Sequence, residues 1–183
     1  VTFLLVSFRT GQALSRFWDG TSLLHQMRGE WLDSVSCLVA FSRSAIAGMP
    51  HEVQVFRHTL VRLMSLLHGS ALEEIKDMNS VAEHFEVLDL RGLDLETLRH
   101  LNDCKKLHNF NRVEVILHMV QVLITNAHDE GVIKVAPPIL SRVYQTLSRG
   151  WVNLLNASKI KHTKFPFPYA QLLAMLIFAI IGS

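Results

Sequence analysis

Apolar residues recur at spacings of three and four along most of this chain, the signature of helices with one buried face. The clearest case follows Asn111-Arg-Val-Glu114, a capping residue with a Glu three positions on. It opens a stripe of Val113, Ile116, Leu117, Val120, Leu123 and Ile124, which predicts a helix to about Ala127, ended by Asp129-Glu-Gly131. Pro137-Pro138 suits the first turn of another helix, from Ile139 to about Asn156, preceded by a short extended stretch at Val132–Val135. Earlier, the break Ala47-Gly-Met-Pro50 leads into a long helix from His51 to Lys76, with Val53, Phe56, Leu60, Leu63, Leu67 and Ile75 on its apolar side. Arg57, Arg62, Glu73 and Glu74 interrupt it too often for a membrane span. Between these helices, Ser80-Val-Ala-Glu83 has capping-box spacing and Asp94 is a cap for Leu95–Leu101. No stretch of useful length alternates with the period of a strand, and there is no internal repeat or low-complexity linker, so the fold class expected is all-α.

The two ends follow a different pattern. Val1–Val6 carries no charge, and the segment Phe8-Arg-Thr-Gly-Gln-Ala-Leu-Ser-Arg-Phe-Trp-Asp-Gly20 then brings in Arg9 and Arg16, seven residues apart and so nearly on one helical face. Phe17 and Trp18 stand beside them, the basic and aromatic mixture found where a helix leaves a bilayer. Gly20 is the first helix-breaking residue after Gly11; Thr21–Arg28 can carry the helix a little further with Leu23, Leu24 and Met27, Gly29 weakens it, and Trp31–Arg43 starts a second apolar helix, read as buried against its neighbours in preference to a re-entrant segment. At the other end Lys159, Lys161 and Lys164 precede Phe165-Pro-Phe-Pro-Tyr-Ala-Gln171, after which the chain is apolar to Gly182. Lysines just outside an apolar helix mark the cytosolic side. The run of 14 residues from Tyr169 covers about 21 Å, against a hydrocarbon core of about 30 Å. The organisation expected is therefore a membrane-protein fragment: 1–20 the cytosolic end of a membrane helix, 21–164 a cytosolic helical region, and 165–183 the start of a further membrane helix, cut short.

Composition narrows the chemistry. A formal net charge of +2 gives no case for nucleic acid as a partner. Cys37 and Cys104 fit no metal spacing and read as reduced thiols. The ten histidines are scattered: none forms HExxH or a Cys/His ligand pair, and His58/His68 and His118/His128, ten residues apart, do not share a helical face. There is no GxSxG, no phosphate loop and no GxGxxG, and the carboxylate pairs Glu73/Glu74 and Asp129/Glu130 are adjacent rather than co-facial. No enzymatic chemistry, metal or cofactor is expected. Leu4 and Phe8, one turn apart, project from one face; they either meet lipid or a neighbouring helix, or ring a symmetry axis as an apolar constriction.

Phe8, Arg9, Thr10, Arg16, Trp18 and Gly20 fall in a pattern that resembles the Phe-Arg-Thr-Asn-x-Ala-x-x-Arg-(aromatic)-Trp-(acidic)-Gly signature closing the second membrane helix of bestrophins. Pro137-Pro-Ile-Leu-Ser-Arg142 and Phe165-Pro-Phe-Pro-Tyr-Ala-Gln171, with Pro137, Pro138, Pro166, Pro168, Tyr169 and Gln171, resemble two further landmarks of that family in the right order, the last closest to its algal, plant and bacterial branches. The resemblance implies a homopentameric anion channel in a plasma, chloroplast or other organelle membrane, conducting chloride and, as a second permeant ion, bicarbonate. It implies that Leu4 and Phe8 match the last two of three pore-neck positions, Leu4 standing where animal members carry Phe, and that Ile139 matches the cytosolic aperture. Animal bestrophins are calcium-activated through segments that this sequence does not contain, so the resemblance assigns no calcium ligand here. On this reading Arg9 and Arg16 either draw anions or anchor the helix at the interface, pairing with acids such as Asp19 or Glu30. The competing expectation is a soluble all-α protein-interaction module, its terminal apolar runs ordinary core helices.

Overall fold

The structure, a computed structural model, describes residues 2–76 and 111–163 together with residues 99, 103, 171 and 174–179. Its regular elements are helices: α1 (Thr2–Phe41), a 3-10 turn (Ser42–Ala45), α2 (Pro50–Ile75), α3 (Arg112–Asp129) and α4 (Pro137–His162). Among the described residues there is no strand, and the chain is all-α as its periodicity predicts. The capping box at Ser80 and the cap at Asp94 lie outside the described residues.

Local chemistry sets most of the helix ends where the sequence puts them. Proline occupies the first turn of α2 and of α4, where its missing N–H costs nothing. Asn111 caps α3, its side chain accepting from the backbone N–H of Val113 at 3.0 Å. Gly131 ends that helix with φ at 77°, a left-handed conformation glycine adopts without strain. The following backbone bond from Ile133 N–H to the Ala127 carbonyl, 2.9 Å, folds Val132 and Ile133 back into the core instead of leaving them extended.

Two expectations need correction. Gly20 and Gly29 do not end or divide the first helix; α1 runs through both for 40 residues. A glycine costs about 1 kcal/mol against alanine inside a helix. That is outweighed by a seam of half-buried or buried side chains at Leu24, Met27, Trp31, Ser34, Leu38, Phe41 and Ala45, which crosses Gly29 without a break in its three-four spacing. Similarly, α4 does not stop near Asn156: Ala157 and Ser158 are buried and carry the helix to His162.

The seam on α1 packs against a matching one on α4 formed by Leu140, Val143, Leu147, Gly150, Leu154 and Ala157, again spaced three and four apart. A repeat averaging 3.5 residues on both partners is that of a coiled-coil interface. The pair is antiparallel, since Trp31 reaches Leu147 while Arg16 reaches Ile160 and Thr163. Helices α2 and α3 form the second pair, also antiparallel: Glu73 and Glu74 at the end of α2 meet Arg112 and Asn111 at the start of α3, at 3.5 and 2.9 Å. Arg57 joins the two pairs, its Nη2 donating to the Val39 carbonyl near the end of α1 and its Nε to Ser42 Oγ. Buried hydroxyls bond back within their own helices, Ser34 to the Glu30 carbonyl and Thr146 to the Arg142 carbonyl.

Candidate functional site

The residues singled out by sequence lie mainly on the first half of α1, and that half stands apart from the bundle. Every described side chain from Val6 to Asp19 is exposed, including Val6, Phe8, Leu14, Phe17 and Trp18. Exposure of this many large apolar side chains on one helix is uncommon for a surface facing only water. Phe8 is 54% exposed and Trp18 61%. Phe17 and Trp18 meet edge to face, ring centres 5.6 Å apart. Leu4 lies on helical backbone, but its side chain is outside the described residues. Thr10 turns inward on its own helix, donating to the Val6 carbonyl at 2.9 Å. Arg9 and Gly11 are exposed, and Gly20 marks the level at which α1 becomes partly covered.

Arg16 is the residue of this stretch with a distant partner. Its Nη2 donates to the carbonyls of Ile160 and Thr163 (2.9 Å to the latter) at the C-terminal end of α4. Ile160 lies in the last turn of α4 and Thr163 is its C-cap, at the negative end of the helix dipole, so a guanidinium is suited to their carbonyls. The acids expected as its partners are engaged elsewhere: Asp19 accepts from Ser15 at 3.4 Å, and Glu30 pairs with Arg149 at 3.1 Å. The opening stretch is thus brought against the residues just before 165–183. Of that last segment, Pro166, Pro168 and Tyr169 lie outside the described residues; Gln171 is helical and exposed, as are Met175, Leu176 and Phe178 on helical backbone at 174–179.

Pro137, Pro138 and Ile139 sit at the opposite end of α4, in its exposed first turn, with Ile139 47% exposed. With 1.5 Å per residue, Ile139 is roughly 35 Å along the helix from Thr163. One chain therefore does not bring Phe8 and Ile139 together; it holds them toward opposite ends of the α1–α4 pair. All charged side chains of α4 are cationic: Arg142, Arg149, Lys159 and Lys161. Arg142 and Lys159 are exposed.

Of the remaining candidates, two histidines make structural contacts. His68 packs edge to face on Trp31, ring centres 6.2 Å apart, and burial, then the nearby Arg28, hold its pKa below the ordinary imidazole value. His128 donates through Nδ1 to the Ile133 carbonyl at 3.1 Å, bracing the turn after α3. His25, His51, His58, His118 and His162 are exposed; His84, His100 and His108 lie outside the described residues. Burial and then Asp33 raise the Cys37 thiol pKa, and Cys104 lies outside the described residues. Among the described residues no cluster of His, Cys, Asp or Glu could hold a metal ion, and no helix is long and apolar enough to cross a membrane.

Sequence reasoning missed the grip of Arg16 on α4 and the seating of Trp31 against Gly150. The first joins positions 144 and 147 residues apart and leaves no local signal. The second had one: the three-four repeat from Leu24 to Ala45 runs through Gly29 and marks an unbroken packed face. No protein-family model, no curated protein and no solved structure matches this chain.

Proposed function

We propose that the chain is part of a subunit of a bestrophin-type anion channel, with Phe8 and Leu4 at an apolar neck and Ile139 at a cytosolic aperture around the axis of a homopentamer. The observation that carries this reading is the exposed first half of α1 held at Arg16 to the C-terminal end of α4, so that the start of α1 and the end of α4 lie at the same end of the helix pair. In sequence, uncharged apolar runs at 1–6 and 169–182 adjoin those ends; Arg9 and Arg16 follow the first, and Lys159, Lys161 and Lys164 precede the second. A bilayer contact at that end accounts for exposed Phe17 and Trp18 beside Arg16, a combination favoured at the membrane–water boundary.

The long bundle below then forms the cytosolic wall, with Ile139 at its far end. Phe8 and Ile139 are exposed within one chain, as residues facing a shared axis must be. A ring of apolar side chains passes partly dehydrated ions and closes by dewetting. Arg142 and Lys159, exposed on α4, which carries no carboxylate of its own, favour anions over cations in the vestibule. Chloride is the permeant ion proposed, with bicarbonate second.

Full-length protein reconstituted into liposomes should release chloride and stay with the bilayer on alkaline extraction. Extraction into the aqueous phase with no chloride efflux would favour the soluble interaction module.

A further inference from the structure

The changeover from exposed to packed along α1 is abrupt. Residues 6–19 are exposed, Gly20 is half-buried, and the seam against α4 begins at Leu24 and Met27. A Cβ added at Gly20 would meet nothing within 4 Å, so no close approach explains the glycine. A glycine at the edge of the packed part is where such a helix bends most readily. One turn earlier Arg16 grips the carbonyls of Ile160 and Thr163, a charge-assisted contact with the C-terminal end of α4. Among the described residues these are the only hydrogen bonds linking residues 6–19 to another element; Thr10 and Ser15 bond within α1.

We propose that Arg16 is a positioning residue that clasps α1 to the end of α4 across a hinge at Gly20, and so sets the tilt of the half-helix carrying Phe8. The lever is long: Ser7 lies 13 residues, or about 20 Å, before Gly20, and a swing of about 20° there moves it by about 7 Å. Displacement on that scale around an axis decides whether a ring of Phe8 side chains is closed or open. The consequence for conduction rests on the channel reading above; the clasp and hinge do not.

The test uses full-length protein with spin labels at the exposed positions Ser7 and Asn156, labelled subunits diluted among unlabelled ones. Arg16→Gln should broaden or shift the distance distribution by several ångströms, on the order of the 7 Å swing above. Arg16→Lys, which keeps a cationic donor, should restore much of the wild-type distribution, and Gly20→Ala, for which there is room, should narrow it. In single-channel records Arg16→Gln should change open probability several-fold while unitary conductance, set at Phe8, stays the same. A wild-type distance distribution in Arg16→Gln overturns the clasp, whatever the currents. Altered distances in a protein that carries no current would instead keep the clasp and reject the pore.

Discussion

The edge of the Trp31 indole occupies the place a side chain would take at Gly150. A Cβ built at Gly150 overlaps the indole Nε1 and Cδ1, and the same Nε1 donates to the Leu147 carbonyl at 3.3 Å. The largest side chain of the α1 seam thus fits a notch that only glycine provides on α4. Backbone conformation is not the reason for this glycine, which lies in mid-helix; space is. Gly150→Ala should therefore destabilise the protein by about 1–3 kcal/mol through overpacking, a Tm loss of roughly 2–4 °C per kcal/mol. Trp31→Phe removes the donor and part of the ring, and combined with Gly150→Ala it should cost less than the sum of the two single changes. Additive losses in a thermal-melt double-mutant cycle would mean that the two residues do not share this contact.

Asn111 ties the end of α2 to the start of α3: its Oδ1 caps α3 and its Nδ2 donates to Glu74 at 2.9 Å. Asn111→Ser keeps a capping oxygen and drops the link to Glu74, while Asn111→Ala drops both. The Ser variant should be the more stable by about 1 kcal/mol, the usual worth of a cap, as read from denaturant midpoints.

The sequence exposes the fold to very different degrees at different points. Pro50, Asn111, Gly131 and Pro137 act within a few residues of themselves, and the helix ends they set are legible from local chemistry. Gly20 and Gly29 were misleading for the same reason. A glycine's local cost is visible in sequence, but the packing of Met27, Trp31 and Leu38 against α4 that overrides it is not. The apolar character of Phe8 and Ile139 is likewise plain, whereas their separation toward opposite ends of one helix pair follows from the antiparallel register fixed by Arg16 and Trp31.

His68 gives the stability a pH dependence with a definite sign. Burial and Arg28 depress its folded pKa, so the unfolded chain binds the proton more readily. Its contribution is full above the unfolded value of about 6.5 and is lost as pH falls from there through the depressed folded value. His68→Gln should flatten the change in Tm between pH 7.5 and pH 5.5, roughly the window that brackets an ordinary imidazole. An unchanged slope would assign the acid sensitivity to other groups.

Cys37 should alkylate slowly, because burial and Asp33 disfavour its thiolate. Its Sγ lies 4.0 Å from Asp33 Oδ1. Asp33→Asn should speed its reaction with iodoacetamide at mildly alkaline pH, measured by mass spectrometry. No acceleration would mean that burial alone governs the thiol.

The proposed anion pore, with Phe8 and Ile139 on its axis, would show itself in the reversal potential of the full-length protein in planar bilayers under a potassium chloride gradient. The expected potential lies close to the chloride equilibrium value, with Phe8→Ala or Ile139→Ala changing unitary conductance or the preference among anions. A potential near the potassium equilibrium value, or no current from an inserted pentamer, would contradict it.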